Sequence, residues 1–195
     1  MDAPKPRPDR DRAADAAQSL IQLYVDRVEQ LFSTLDPFPF PERDLDHDAE
    51  EFIVGWAREL PRDRPVRILI HLPGPELDTP AARALCDAVK RYFGYRAEMT
   101  SLALKELFRT GWRFLLIGAI VLALCVLASQ AVSGRFQEHA LGRYLEESLI
   151  ILGWVANWRP LEIFLYEWWP IVRTRALYKR LAKASVDLAP VQKTN

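Results

Sequence analysis

Between Arg113 and Arg135 the sequence has no charged residue. As a helix, the 21 residues from Phe114 to Gly134 would be about 31 Å long, the thickness of a bilayer's hydrocarbon core. A helix at the surface of a water-soluble protein keeps a polar face, and a core helix rarely runs this far without a charge. The run therefore reads as a membrane span, at about residues 113–133. It sets the terms for the rest of the chain, because lipid and water favour opposite surfaces.

A second apolar stretch, Ser148 to Val172, contains Arg159, Glu162 and Glu167, with Pro160 after the arginine. A central arginine costs about 2.5–3.5 kcal/mol on insertion scales. The surrounding Leu149, Ile150, Ile151, Leu152, Trp154, Val155, Leu161, Ile163, Phe164 and Leu165 offset that cost. Arg159 and Glu162 are three apart, so on a helix they share a face and can pair as an intramembrane ion pair near mid-membrane. Pro160 removes one backbone donor and kinks the helix. The stretch reads as a second, kinked span at about 147–170. The competing reading is a re-entrant or interfacial segment.

The flanks give the topology. Residues 94–113 hold Arg96, Lys105, Arg109 and Arg113, and residues 173–192 hold Arg173, Arg175, Lys179, Arg180 and Lys183. The loop 134–147 holds only Arg135 and Arg143 as basic residues. The positive-inside rule then puts both termini in the cytoplasm. Trp112, Trp168 and Trp169 are expected together at that interface as an aromatic belt. Lys105, Arg109 and Arg113, spaced by four, form a stripe at the membrane interface. They are either ordinary stop-transfer charges or, at about 1 kcal/mol each, a contact for anionic lipid.

The formal charge balances, with 26 basic and 26 acidic residues, which excludes a histone-like or polyacidic protein, and no nucleic-acid partner is expected. Residues 1–100 carry 14 basic against 19 acidic side chains, and residues 101–195 carry 12 against 7. An acidic, water-soluble half thus precedes a basic-flanked, membrane-like half. Cys86 and Cys125 fall in different halves, so no disulfide is expected, and the usage suits a reducing compartment. Residues 1–18, rich in proline and charge at their start and without an apolar core, read as a disordered tail and not a signal peptide.

The soluble half, 19–100, reads as a small α/β domain. Leu20 to Val28 alternates, which favours a short strand followed by a helical turn through Phe32. Ala17, Leu20, Ile21, Tyr24, Val28, Leu31 and Phe32 also fit helical spacing. Asp36-Pro-Phe-Pro-Phe-Pro41 is an extended connection. Ala49, Phe52, Ile53, Trp56, Ala57 and Leu60 form the apolar face of a helix capped by Asp46 or Asp48 and ended by Pro61. Val66, Ile68, Ile70 and Leu72 alternate as a strand. Thr79 caps another helix that Pro80 opens, with Leu85, Ala88, Val89, Tyr92 and Phe93 on its face. Gly94 is expected to break it, and a further helix from about Ser101 leads into the membrane. Two strands alone are marginal, so the sheet needs the membrane, another subunit or a partner strand.

Candidate chemistry is sparse. Asp44, Asp46, His47, Asp48, Glu50 and Glu51 lack the spacing of a calcium loop, and helix capping with the helix dipole explains them. His71 at a strand end is a possible base, but no triad motif accompanies it. No phosphate-binding glycine motif is present, and the three histidines make no zinc pattern. No catalytic, metal or cofactor residue is assigned. Arg159 and Glu162 are the best functional candidates, either locking helix to helix or lining a pathway.

Two stretches, Leu31-Phe32…Asp36-Pro37-Phe38-Pro39-Phe40…Arg43-Asp44-Leu45-Asp46 and Trp158-Arg159-Pro160…Tyr166-Glu167-Trp168-Trp169-Pro170-Ile171, resemble a family of uncharacterised small bacterial inner-membrane proteins. The resemblance implies a bacterial membrane protein and carries no functional residue. The expected fold combines a small cytoplasmic α/β domain (strand–helix–strand–helix) with a linker helix and two-helix transmembrane hairpin over 101–172 and a basic cytoplasmic tail over 173–195. The expected function is a non-enzymatic, oligomeric scaffold or adaptor, with the lipid bilayer and a second copy or another membrane protein as partners. The alternatives are a subunit of a transporter or channel and, third, a membrane-bound hydrolase.

Overall fold

Period-two alternation places Ile21 and Leu23 of β1 (Leu20–Tyr24) and Ile68 and Ile70 of β2 (Arg67–Leu72) on one face of a sheet. The computed structural model describes residues 19–33, 42–136 and 140–191; the expected tail over 1–18 and the Asp36–Pro41 connection lie outside the described residues. Leu20–Tyr24 is a strand, and Val28–Leu31 forms the helical turn that follows it.

A third strand, β3 (Ser185–Pro190), completes the sheet in the order β1-β2-β3, all parallel. Its Val186 pairs in register with Ile68, and its Leu188 with Ile70. This corrects the reading of residues 173–195 as a basic tail: the partner strand that two strands require comes from the chain's own C-terminal segment. Arg180, counted above as a flanking charge, donates to the backbone carbonyls of Leu60, Pro61 and Arg64. The chain divides into one unit of residues 1–98 with 175–195 and another of residues 99–174, in place of a first domain ending at 100.

Helix α1 (His47–Glu59) starts where the Asp46 carboxylate accepts from the Asp48 amide at 3.1 Å. Its buried face is Glu50, Ile53, Val54 and Ala57. Phe52 and Trp56, expected in the core, are 44% and 50% exposed. At 100° per residue, a helix that turns Glu50 inward must turn positions 52 and 56 outward.

A short helix, α2 (Gly74–Leu77), precedes α3 (Pro80–Phe136), which runs 57 residues. The Thr79 hydroxyl caps α3, accepting from the Ala82 amide at 3.1 Å. Gly94 does not break it. A helical glycine costs about 1 kcal/mol relative to alanine, and the buried Phe93 and Ala97 on either side tie that turn to the core. Leu85, Val89 and Phe93 of α3 share that core with the sheet and with Leu181.

The second apolar stretch is not one kinked helix. Helix α4 (Ala140–Ala156) ends before Asn157. Then come α5 (Trp158–Glu162), a π-helical turn (Ile163–Glu167) and α6 (Trp168–Ala182). Pro160 sits in the first turn of α5, where a missing amide proton matters least. Among the described residues, one helix is long and apolar enough to cross a membrane, over Pro80–Val132.

Candidate functional site

The unit of residues 99–174 is built on a seam of small residues. Along α3, Gly111, Gly118, Cys125 and Ser129 are buried, and Leu115 and Leu122 are half-buried. These positions alternate three and four apart, the spacing of a helix that packs one stripe against a partner helix. A Cβ on Gly111 would lie 3.0 Å from Ile163 Cγ2. One on Gly118 would lie 3.0 Å from the Ala156 carbonyl oxygen, and one on Gly153 would lie 3.3 Å from both Leu122 Cα and Cys125 Cβ. As the α3 number rises the opposing number falls, so the two legs are antiparallel. The glycines let the backbones approach, the device by which helices associate without a hydrophobic driving force.

Asn157 closes the seam. Its side-chain amide donates to the Gly118 carbonyl at 3.1 Å and to the Gly153 carbonyl at 3.0 Å. One side chain thus ties the end of α4 to α3. The sequence reading missed both Asn157 and the seam; the visible signal was Gly111 and Gly118 seven apart, with Gly153 in the opposing stretch.

The outward surface of this hairpin is apolar. Leu116, Ile117, Ile120, Leu124 and Leu127 on α3 and Ile151, Leu152, Trp154 and Val155 on α4 are all more than half exposed. Only 17% of the apolar window of α3 is buried. Burial is therefore inverted relative to a water-soluble core, with small residues inside and large apolar ones outside.

At one end lies an ionic cluster. The Arg159 guanidinium donates to Glu162 Oε2 at 2.9 Å and also to Glu167. The expected pair forms, and the π-helical turn supplies a third member. The Gly111–Ile163 and Gly118–Asn157 contacts set Arg159 roughly level with Leu115 and Leu116, at the end of the charge-free run beside Arg113. Its side chain is 54% exposed.

Trp112, Trp168 and Trp169 meet at this end through Phe164. Trp112 packs edge-on against Phe164 at 5.7 Å. Trp168 Nε1 donates to the Phe164 carbonyl at 2.9 Å, and Trp168 and Trp169 lie 5.7 Å apart. The Arg173 guanidinium stacks over Trp169 at 5.2 Å. Lys105, Arg109 and Arg113 are exposed on α3, with Arg109 in loose contact with Glu106 at 3.6 Å. Because Arg159 bridges two carboxylates, Arg159→Ala should lower accumulation of the purified protein more than Glu162→Ala, and Arg159→Ala with Glu162→Ala should fall between them. Strictly additive effects in that double-mutant cycle would show that the residues are not coupled.

The α/β unit holds one buried ionic knot. Glu50 accepts from the Tyr92 hydroxyl at 2.7 Å, the Tyr178 hydroxyl at 2.8 Å and Arg96 Nε at 3.0 Å. Burial pushes the Glu50 carboxyl up, but the two hydroxyls and the Arg96 guanidinium outweigh it and hold it below its ordinary value. Burial and the bond to Glu50 push the Tyr92 phenol far up. These groups join α1, α3 and α6 and leave no proton to exchange near neutral pH, so the knot is structural. His71 stacks on Tyr24 with ring centroids 4.3 Å apart and meets Gln22 at 3.2 Å. Among the described residues, no group of three histidine, cysteine or acidic side chains could hold a metal ion. No protein-family model, curated protein or solved structure matches the chain.

Proposed function

We propose that the chain is a multi-pass protein of the bacterial inner membrane, with both termini in the cytoplasm. Its hairpin anchors the α/β unit at the cytoplasmic face, and it acts as a non-enzymatic, oligomeric scaffold or adaptor. The inverted burial of the hairpin carries this reading: a surface of large apolar side chains over a seam of glycines is stable in lipid and costly in water. The excess of basic residues at 94–113 and 173–192 over the loop 134–147 supports the orientation. The resemblance at Trp158-Arg159-Pro160 and Trp168-Trp169-Pro170 supports the location. The shorter leg runs uncharged from Ser148 to Trp158, about 16 Å as a helix.

The reading predicts that the protein stays with membranes through alkaline carbonate extraction. In a background without the native cysteines, Gln192→Cys should be shielded from an impermeant thiol reagent in intact spheroplasts, and Gln137→Cys should be labelled. Recovery in the carbonate supernatant would overturn the anchor, and labelling at 192 would overturn the two-pass topology.

A further inference from the structure

The side of α1 opposite the buried Glu50 carries Asp48, Glu51, Phe52, Gly55, Trp56 and Glu59, all exposed. They line a shallow, open depression along one face of the helix. Phe52 and Trp56 form its apolar wall, with ring centroids 6.1 Å apart. Three carboxylates surround them, and among the described residues no basic side chain lines the depression. Gly55 is its floor. A Cβ there would meet nothing within 4 Å, so packing does not require glycine, although glycine weakens the helix by about 1 kcal/mol. The helix dipole accounts for Asp48 and Glu51; among the described residues, nothing packs against the two exposed aromatics or calls for the glycine between them.

We propose that this stripe is a docking surface for an arginine-bearing segment of a partner protein. The arginine stem lies over Gly55, its guanidinium stacks on the Trp56 indole, and the surrounding carboxylates neutralise it. Charge complementarity selects this occupant. Three carboxylates repel an anionic bilayer surface, whereas a planar guanidinium satisfies both an aromatic face and a carboxylate. The chain already uses the first contact elsewhere, with Arg173 over Trp169 and Arg96 over Tyr178. The inference rests on the adaptor reading and names the chemistry of its partner.

The test uses the full chain in nanodiscs of uncharged lipid, labelled with fluorotryptophan, with the Trp56 resonance assigned by Trp56→Phe. The probe is the peptide acetyl-Gly-Arg-Gly-Arg-Gly-amide, with glutamate in place of arginine as the control. The arginine peptide should shift the Trp56 resonance saturably, and the glutamate peptide should not. Gly55→Ala should strengthen the helix yet weaken binding about tenfold, as should Glu51→Gln with Glu59→Gln. No saturable shift, or equal binding to Gly55→Ala, would overturn the docking surface. So would a Trp56 shift produced by anionic vesicles and not by the peptide. None of these outcomes bears on the hairpin, which the extraction and labelling experiment tests separately.

Discussion

Gly118→Leu should abolish the hairpin. Its added Cβ would lie 2.7 Å from Asn157 Oδ1 and 3.0 Å from the Ala156 carbonyl, so both a side chain and a backbone have to move. Overpacking of this kind costs about 1–3 kcal/mol. Displacing Asn157 also leaves its amide unpaired in an apolar seam, about 1–3 kcal/mol more. A total of about 4 kcal/mol shifts the helix–helix equilibrium several hundredfold. The readout is a cross-link built on a native residue. A Cβ on Gly153 would lie 3.3 Å from Cys125 Cβ, close to disulfide geometry. The new Cβ also lies 2.7 Å from Leu122 Cδ1, the end of a flexible side chain that can rotate away where the Ala156 backbone carbonyl facing Gly118 cannot, so mild oxidation of a Gly153→Cys chain should join the two legs, and fragments cut in the intervening loop should migrate together until reduced. Adding Gly118→Leu should remove that band. Persistence of the cross-link would mean that the seam tolerates the side chain and that the close approach at Gly118 does not hold the legs together.

Glu50→Leu should destabilise the α/β unit by about 3 kcal/mol, because it leaves the buried Tyr92 and Tyr178 hydroxyls without their acceptor. Glu50→Gln should cost less, since its one amide oxygen still accepts from one of the two hydroxyls, Tyr92's at the Oε2 position or Tyr178's at the Oε1 position. The sign of the pH dependence follows from the lowered carboxyl. Its stabilising contribution is fully present above the ordinary value of 4.5 and is lost as pH falls through the lower folded value. Urea titrations at pH 7, 5 and 3.5 should show wild type and Glu50→Gln converging at the acid end. A constant gap down to pH 3.5 would show that the carboxylate's charge contributes nothing.

The sequence determined what depends on neighbours along the chain. The charge-free run 114–134, the strands at 20–24 and 67–72, the Asp46 and Thr79 caps and the Arg159–Glu162 pair all follow from local periodicity and spacing. Tertiary structure decided what depends on contacts between distant residues. Residues 173–191 look like a basic flank because Arg173, Arg175, Lys179, Arg180 and Lys183 dominate locally. Only the parallel pairing of Val186 with Ile68 reveals a strand there. Phe52 and Trp56 fit a helical core face by spacing, but two tyrosines and an arginine on other helices draw Glu50 inward and turn that face out. The level of Arg159 opposite Leu115 and Leu116 could not be read locally, because Gly111, Gly118 and Gly153 set the register between the legs, and register is a property of two helices packed together.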